Sequence, residues 1–299
     1  MDELLDAEEA CLTALARPEL RRVGDQLAQS FDAFTELAKV TAHPESVAHL
    51  TSLIHSAEAN PVGLSRWLLL RGSLQAIPRV ASWRVFGSVK RLWIEEVLYY
   101  TQPRGDLSIF APEHVRFREM ARIVTLRRYP AGQFHWEITG FPRSWIARTA
   151  ISKWPRLLST LSQMGGFQPL VETHINERRT NRPVLTESEG LRSYYRLARS
   201  IELQPEVRGF MACSWLYCSQ TAEVTPHLAW LRKFFLDRGA FIGTLGPAPP
   251  DSGFLSGELR RTLYNDGRYR PLMTYVLWPR RSILDWARTV ALEKTDPRV

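Results

Sequence analysis

Two periodicities divide the chain. In the first hundred residues the apolar positions Leu20, Val23, Leu27, Phe31, Phe34 and Leu37 recur at steps of three and four, which lays one stripe along a helix. Pro18 precedes that stripe and the segment TAHPES ends it, with Pro44 placed to open a second helix through Val47, Leu50, Leu53 and Ile54. A short helix over Leu64 to Leu70 and a longer one over Trp83 to Tyr100 follow, and TQPRGDLSIFAPEH reads as a linker. Beyond it the texture changes to strand-like runs: RIVTLRRY, QFHWEIT, PLVETHIN, VRGFMACSWLYC, AFIGTLG and PLMTYVLWP. Helical runs stand between them at Trp145 to Met164, Glu187 to Leu203, Pro226 to Arg238, Gly253 to Tyr264 and Ser282 to Leu292. PAG is short enough to join the first two runs as a hairpin with Gly132 at the turn. The later β-α-β spacing favours crossover helices on a mixed, partly parallel sheet. The expectation is an α/β (mixed α+β) protein: a helical part over residues 1–105 and, over 106–299, a mixed sheet flanked by helices.

The same alternation that marks the strands sorts their side chains. Gln133, His135 and Glu137 share one parity and Phe134, Trp136 and Ile138 the other; Glu172, His174 and Asn176 stand opposite Val171, Thr173 and Ile175. If the two strands are neighbours, His135, Glu137, Glu172 and His174 converge. Two imidazoles and two carboxylates suit a divalent metal, held in the first instance by His135, Glu137 and His174. They equally suit acid–base chemistry, in which a carboxylate orients a histidine. The plainer account is the wet side of a half-exposed sheet.

Cys213 lies on a third strand and is a candidate acyl-accepting nucleophile, although core packing is the commoner fate of a free cysteine. The glycine-bearing segments SQMGGF and GTLGPAPPDSG match no dinucleotide or phosphate-loop pattern and read as turns.

Composition adjusts this picture in three ways. At 299 residues, 44% apolar and 23% charged, the chain is ordinary for a globular protein with a sizeable core. Three cysteines give neither a disulfide framework nor paired zinc spacing, and His43, His49 and His55 fit no metal motif. The formal charge of +8, from 39 basic and 31 acidic residues, is spread over arginine pairs with no nucleic-acid-binding signature. An anionic small molecule is as good a reason for the excess arginine as nucleic acid, and solubility is a better one. Apolar runs are too short to span a membrane, and the acidic opening MDELLDAEEACL lacks the basic start of a secretory signal. A cytoplasmic protein acting on a small molecule is expected.

The pieces His174-Ile175, Leu185-Thr186, Ser214-Trp215-Leu216 and Phe234-Phe235, with RYPAGQFHWE upstream, fall in the order of a known pattern. The region resembles the C-terminal domain of bacterial two-domain acyltransferases with a GNAT-like fold, over about a quarter of the chain. The resemblance implies an acyl-CoA or acyl-carrier thioester donor, an amine acceptor, a general base and backbone donors for the oxyanion. On that reading His174 is the base, Glu172 or Glu137 orients it, His135 is a second acid or base, and Cys213 a covalent participant. Arg127 through Gly132 is the nearest candidate for the family's phosphate-cradling Q/R-x-x-G-x-G/A loop, through Arg127, Arg128 and Gly132. Pro130 stands there in place of the first glycine, and residues 239–292 run longer than the pattern. Coenzyme A thioester is the implied cofactor, a divalent metal the alternative, and a non-catalytic protein whose helical N-terminal part contacts a partner the third reading.

Overall fold

The computed structural model describes residues 2–24, 52, 61–101, 107–176 and 185–290. They form two compact units, Met1–Pro130 and Ala131–Val299.

The first unit is helical. Helix α1 (Asp2–Leu15) buries Ala7, Cys11 and Ala14. Of the stripe that begins at Leu20, residues 18–24 are helical; the rest of it and the helix expected after Pro44 lie outside the described residues. The helix expected over Leu64–Leu70 is three times longer, α2 (Pro61–Ala81), because Ala76, Ile77 and Val80 extend its buried stripe past Pro78. Helix α3 (Gly87–Thr101) packs against α1 and α2. Buried Arg66 of α2 donates through Nε to the carbonyl of Tyr100 (3.3 Å) and through Nη2 to that of Thr101 (3.2 Å), satisfying acceptors that the end of α3 leaves open.

One expected strand is mostly helix and turn. The first three residues of RIVTLRRY end α4 (Val115–Val124), which starts at His114, whose Nδ1 accepts from the amide of Arg116 (3.1 Å), and only Tyr129 falls in a strand, the two-residue Tyr129–Pro130. The buried positions Phe117, Met120, Ala121 and Val124 follow the helical period and are visible only when the window opens upstream of Arg122. Leu126, at φ 61°, then turns the chain so that the amides of Arg127 and Arg128 both donate to the carbonyl of Arg122.

The second unit holds the sheet. Its five strands are β1 (Phe134–Thr139), β2 (Leu170–Ile175), β3 (Gly209–Ser214), β4 (Phe241–Pro247) and β5 (Leu272–Pro279), in the order β1-β2-β3-β5-β4. β2 and β3 are parallel; the other pairs are antiparallel. The mixed α+β class is as expected. The turn into β1 is closed by the Ala131 amide donating to the carbonyl of Phe134 (2.8 Å), with Gly132 at φ 116°.

Helices α7 (Glu187–Glu202), α9 (Ala229–Leu236) and α11 (Arg280–Thr289) lie on one face, where Tyr194, Phe210, Phe234, Phe235, Trp278 and Trp286 interlock with ring centroids 5–6 Å apart. Arg280 pins this layer: its Nη1 donates to the carbonyls of Ile201 (2.6 Å), Gln204 (2.8 Å) and Val207 (2.8 Å), tying the end of α7 to the start of α11. The other face is covered by α5 (Ser144–Arg148) and α6 (Trp154–Gln163). The single helix expected over Trp145–Met164 breaks between them, where Thr149 turns its hydroxyl back to the carbonyl of Trp145 (2.7 Å) and Pro155 opens the next helix. Short helices α8 (Ser219–Val224) and α10 (Glu258–Asn265) complete the unit.

Candidate active site

The face beneath α5 and α6 is apolar over most of its width: Leu170, Met211, Tyr275, Leu277, Phe241 and Leu245 from the strands meet Phe141, Leu157, Leu161 and Met164. At the β1–β2 end it turns polar. The antiparallel register sets His135 opposite His174 and Glu137 opposite Glu172, so the two polar rows share this face. Diagonally across the ladder, His174 Nε2 donates to Glu137 Oε1 at 2.9 Å. Ligating atoms of Glu137, Glu172 and His174 all lie within 4.8 Å of one another. The side chains of His174 and Glu137 are 32% and 24% exposed, within reach of a ligand. His135 is 3% exposed and stands outside that trio. A cation here would therefore find Glu172 where the sequence pattern offered His135.

Cys213 belongs to the same face. Parallel pairing of Glu172 with Met211 puts Cys213 on the parity of Glu172 and His174, and the next ladder sets it opposite Tyr275. Burial pushes its thiol up to about 12, with the charge of Glu172 adding to the rise and Arg148 opposing it. A thiol so held is neutral at pH 7 and a weak nucleophile. Tyr275 is fully buried, and its hydroxyl sits 2.6 Å from that of Thr149.

The β2–β3 pairing is brief. It covers Val171↔Phe210 and Glu172↔Met211 and stops, while the strands continue to Ile175 and Ser214. Two parallel strands that stop pairing at mid-length leave main-chain donors and acceptors along their facing edges. His174 and Cys213 lie on those edges, beyond the last pair.

The residues of the expected phosphate loop are engaged in contacts of their own. Arg128 is 1% exposed and ion-pairs with Glu119 of α4, so an incoming anion would have to displace that carboxylate. The Arg127 amide is spent in the turn after α4. Around Gly132 the backbone is fastened from three sides: Asn176 Nδ2 donates to its carbonyl (3.0 Å), Ser193 Oγ accepts from the Gln133 amide (3.0 Å), and Arg196 donates to the carbonyl of Ala131 (3.2 Å). A Cβ at Gly132 would lie 2.8 Å from Ser193 Oγ. Neither Ser193 nor Arg196 was foreseeable from strand patterns, since both lie on α7.

No protein-family model and no curated protein sequence matches the chain. Among solved structures it is similar to an acyltransferase in complex with decanoyl-CoA, at 16% identity and TM-score 0.47, over 75% of this chain and 68% of that one. It is also similar to an acyltransferase in complex with CoA and 10C-teicoplanin, at 12% identity and TM-score 0.43, over 71% of this chain and 65% of that one. A third, an acyltransferase with decanoyl-CoA and teicoplanin, matches at 12% identity and TM-score 0.42, with the same coverage. Among the described residues no helix is long and apolar enough to cross a membrane.

Proposed function

We propose that the second unit is a GNAT-like acyltransferase that moves an acyl group from a thioester, carried by coenzyme A or by an acyl carrier, to a small amine. The observation that carries this reading is the His174–Glu137 pair standing where two parallel strands cease to pair. Such an edge offers main-chain groups to an extended thioester arm and N–H donors to a carbonyl oxygen that becomes an oxyanion. The sequence resemblance around His174 and Ser214-Trp215-Leu216 points to the same chemistry.

The roles follow from position. Glu172 receives the acceptor's ammonium and passes its first proton to solvent. The free amine attacks the thioester carbonyl, and the C–N bond forms as His174 takes the second proton. Glu137 holds the imidazole in place and stabilises its charged form. The tetrahedral adduct then collapses: the C–S bond breaks, and the departing sulfur takes the proton from His174, which regenerates the base. The products are an amide and a free thiol. His135 supports the ring opposite it, and the neutral thiol of Cys213 lines the path. A biosynthetic role in the cytoplasm goes with this reading.

The test is thiol release from octanoyl-CoA with a panel of primary amines. His174→Ala should lower kcat by about 100-fold or more, and Glu137→Gln by about tenfold. Unchanged turnover in His174→Ala would remove the proposed base. A second reading, a divalent metal on Glu137, Glu172 and His174, is favoured by the 4.8 Å clustering of their ligating atoms. Elemental analysis after metal-replete expression separates the two, since the metal reading requires stoichiometric metal that Glu172→Gln loses.

A further inference from the structure

Between Glu137 and Glu172 the chain carries no acidic residue, while Arg143, Arg148, Lys153 and Arg156 fall within that interval. The interval is the cover of the face that bears His174. Three of its cations reach one stretch of backbone at the edge of the sheet, two carbonyls of β4 and that of Ala240 just before it. Arg148 Nη2 donates to Leu245 (3.0 Å), Lys153 Nζ to Ile242 (3.4 Å) and Arg156 Nη2 to Ala240 (3.2 Å). The edge is thereby closed to another strand. The cations are also fixed in a row, because each is tethered to a backbone oxygen within residues 240–245. At about 3.3 Å per residue the anchors stand about 7 and about 10 Å apart. The same cover exposes apolar side chains, Ile151 at 77% and Leu158 at 51%. The acidic side chain at the nearby end of α9, Asp237, is already held by Lys233 (2.6 Å).

We propose that this surface docks an acidic helical protein that carries the acyl thioester. The inference rests on the acyl-transfer reading and names the form in which the donor arrives. A helix with carboxylates one and two turns apart presents them at about 5 and about 11 Å, near the row's intervals of about 7 and about 10 Å, and its apolar residues would cover Ile151 and Leu158. The row extends over about 17 Å, too long for the phosphates of one small molecule. Nucleic acid would match the charge but leave the apolar residues without a partner. A membrane surface favours long, free basic side chains that follow the headgroups, whereas these are tied down. The row lies on the edge strand, two strands from β3, so the thioester arm of a docked carrier would cross about 10 Å of sheet to reach the parted strands.

The experiment uses the full chain and a purified acidic acyl carrier protein from a bacterial fatty-acid synthase, loaded with an octanoyl group. Fluorescence anisotropy measures binding, and thiol release measures transfer. Ile151→Glu adds a like charge without touching the edge bonds; Lys153→Glu combined with Arg156→Glu reverses the row. Each should weaken carrier binding by about tenfold or more, an effect that added salt mimics in the parent protein. Transfer from octanoyl-pantetheine, which has no protein to dock, should change less than about twofold. Loss of transfer from both donors in Ile151→Glu would overturn the proposal in favour of a structural role. So would binding to phosphatidylglycerol vesicles or to single-stranded DNA in place of the carrier. Carrier binding is read without turnover, so a carrier that binds but is never deacylated would fail the transfer reading alone.

Discussion

The two faces of the sheet in the second unit are built from the same alternation and serve opposite ends. On one, aromatic and aliphatic side chains dominate, and Tyr194, Phe210, Phe235 and Trp278 fill the space between strands and helices with almost no exposed surface. On the other, the apolar run across β4, β5 and β3 gives way at β1 and β2 to Glu137, Glu172 and His174, all partly exposed. The first face can hold the fold because it asks nothing of its side chains but volume. The second trades packing for charged groups that must stay reachable. Stability and chemistry are therefore separable here by which side of a strand a residue occupies.

The largest stability effect should come from the sealed face. Phe235 is fully buried and meets Tyr194, Phe210, Phe234 and Trp278. Truncation to Ala leaves a void that this crowded layer can refill only in part, so urea unfolding should show a loss of about 3–5 kcal/mol. A loss below about 1 kcal/mol would mean that the layer is loosely packed and the contrast between faces is weak. On the other face, Gly243→Ala is the sharper probe. Its Cβ would lie 2.3 Å from the ring of Tyr275, which in turn must stay in place to meet Thr149. A cost of about 1–3 kcal/mol is expected. Because Thr149 caps the end of α5, which covers the face of the site, turnover should fall along with stability. The aromatic face offers no such coupling, and Phe235→Ala should unfold the protein more easily without changing kcat at temperatures where it stays folded.

How far the sequence reveals these faces depends on how local each signal is. Strand parity placed His135, Glu137, Glu172 and His174 on shared sides, since alternation within six residues is a property of the backbone itself. Whether the two strands would be neighbours, and in which register, was not legible; it depends on pairing across the thirty residues that hold α5 and α6. Parity also could not tell His174, at the open edge, from His135, sealed within it, because depth is set by what covers a strand. The misread strand at RIVTLRRY has a different cause. So short an apolar run, Ile123, Val124 and Leu126, fits either period, and only the upstream Phe117 and Met120 decide for the helix. The cationic row on the β4 edge shows as an absence of acidic residues in the sequence, but its anchoring on backbone carbonyls needs the fold.

The smallest effect on activity should belong to Cys213, which sits where the two kinds of environment meet. Its thiol is neutral in the folded protein up to about 12, chiefly through burial, against an ordinary value of 9.0. A group whose folded pKa is raised contributes its stability in full below the unfolded value and loses it as pH rises toward the folded one. Stability should therefore decline between about pH 9 and 12, as the unfolded chain releases a proton that the folded chain keeps. Cys11 in the first unit and Tyr217 on the aromatic side, both also pushed up to about 12, add to that decline. Cys213→Ala should flatten it in part, measured as the unfolding midpoint across this range, and should leave kcat at neutral pH within about twofold of the parent. A large loss of turnover in Cys213→Ala would instead make the thiol a covalent participant, and the division of labour on that face would have to be redrawn around it.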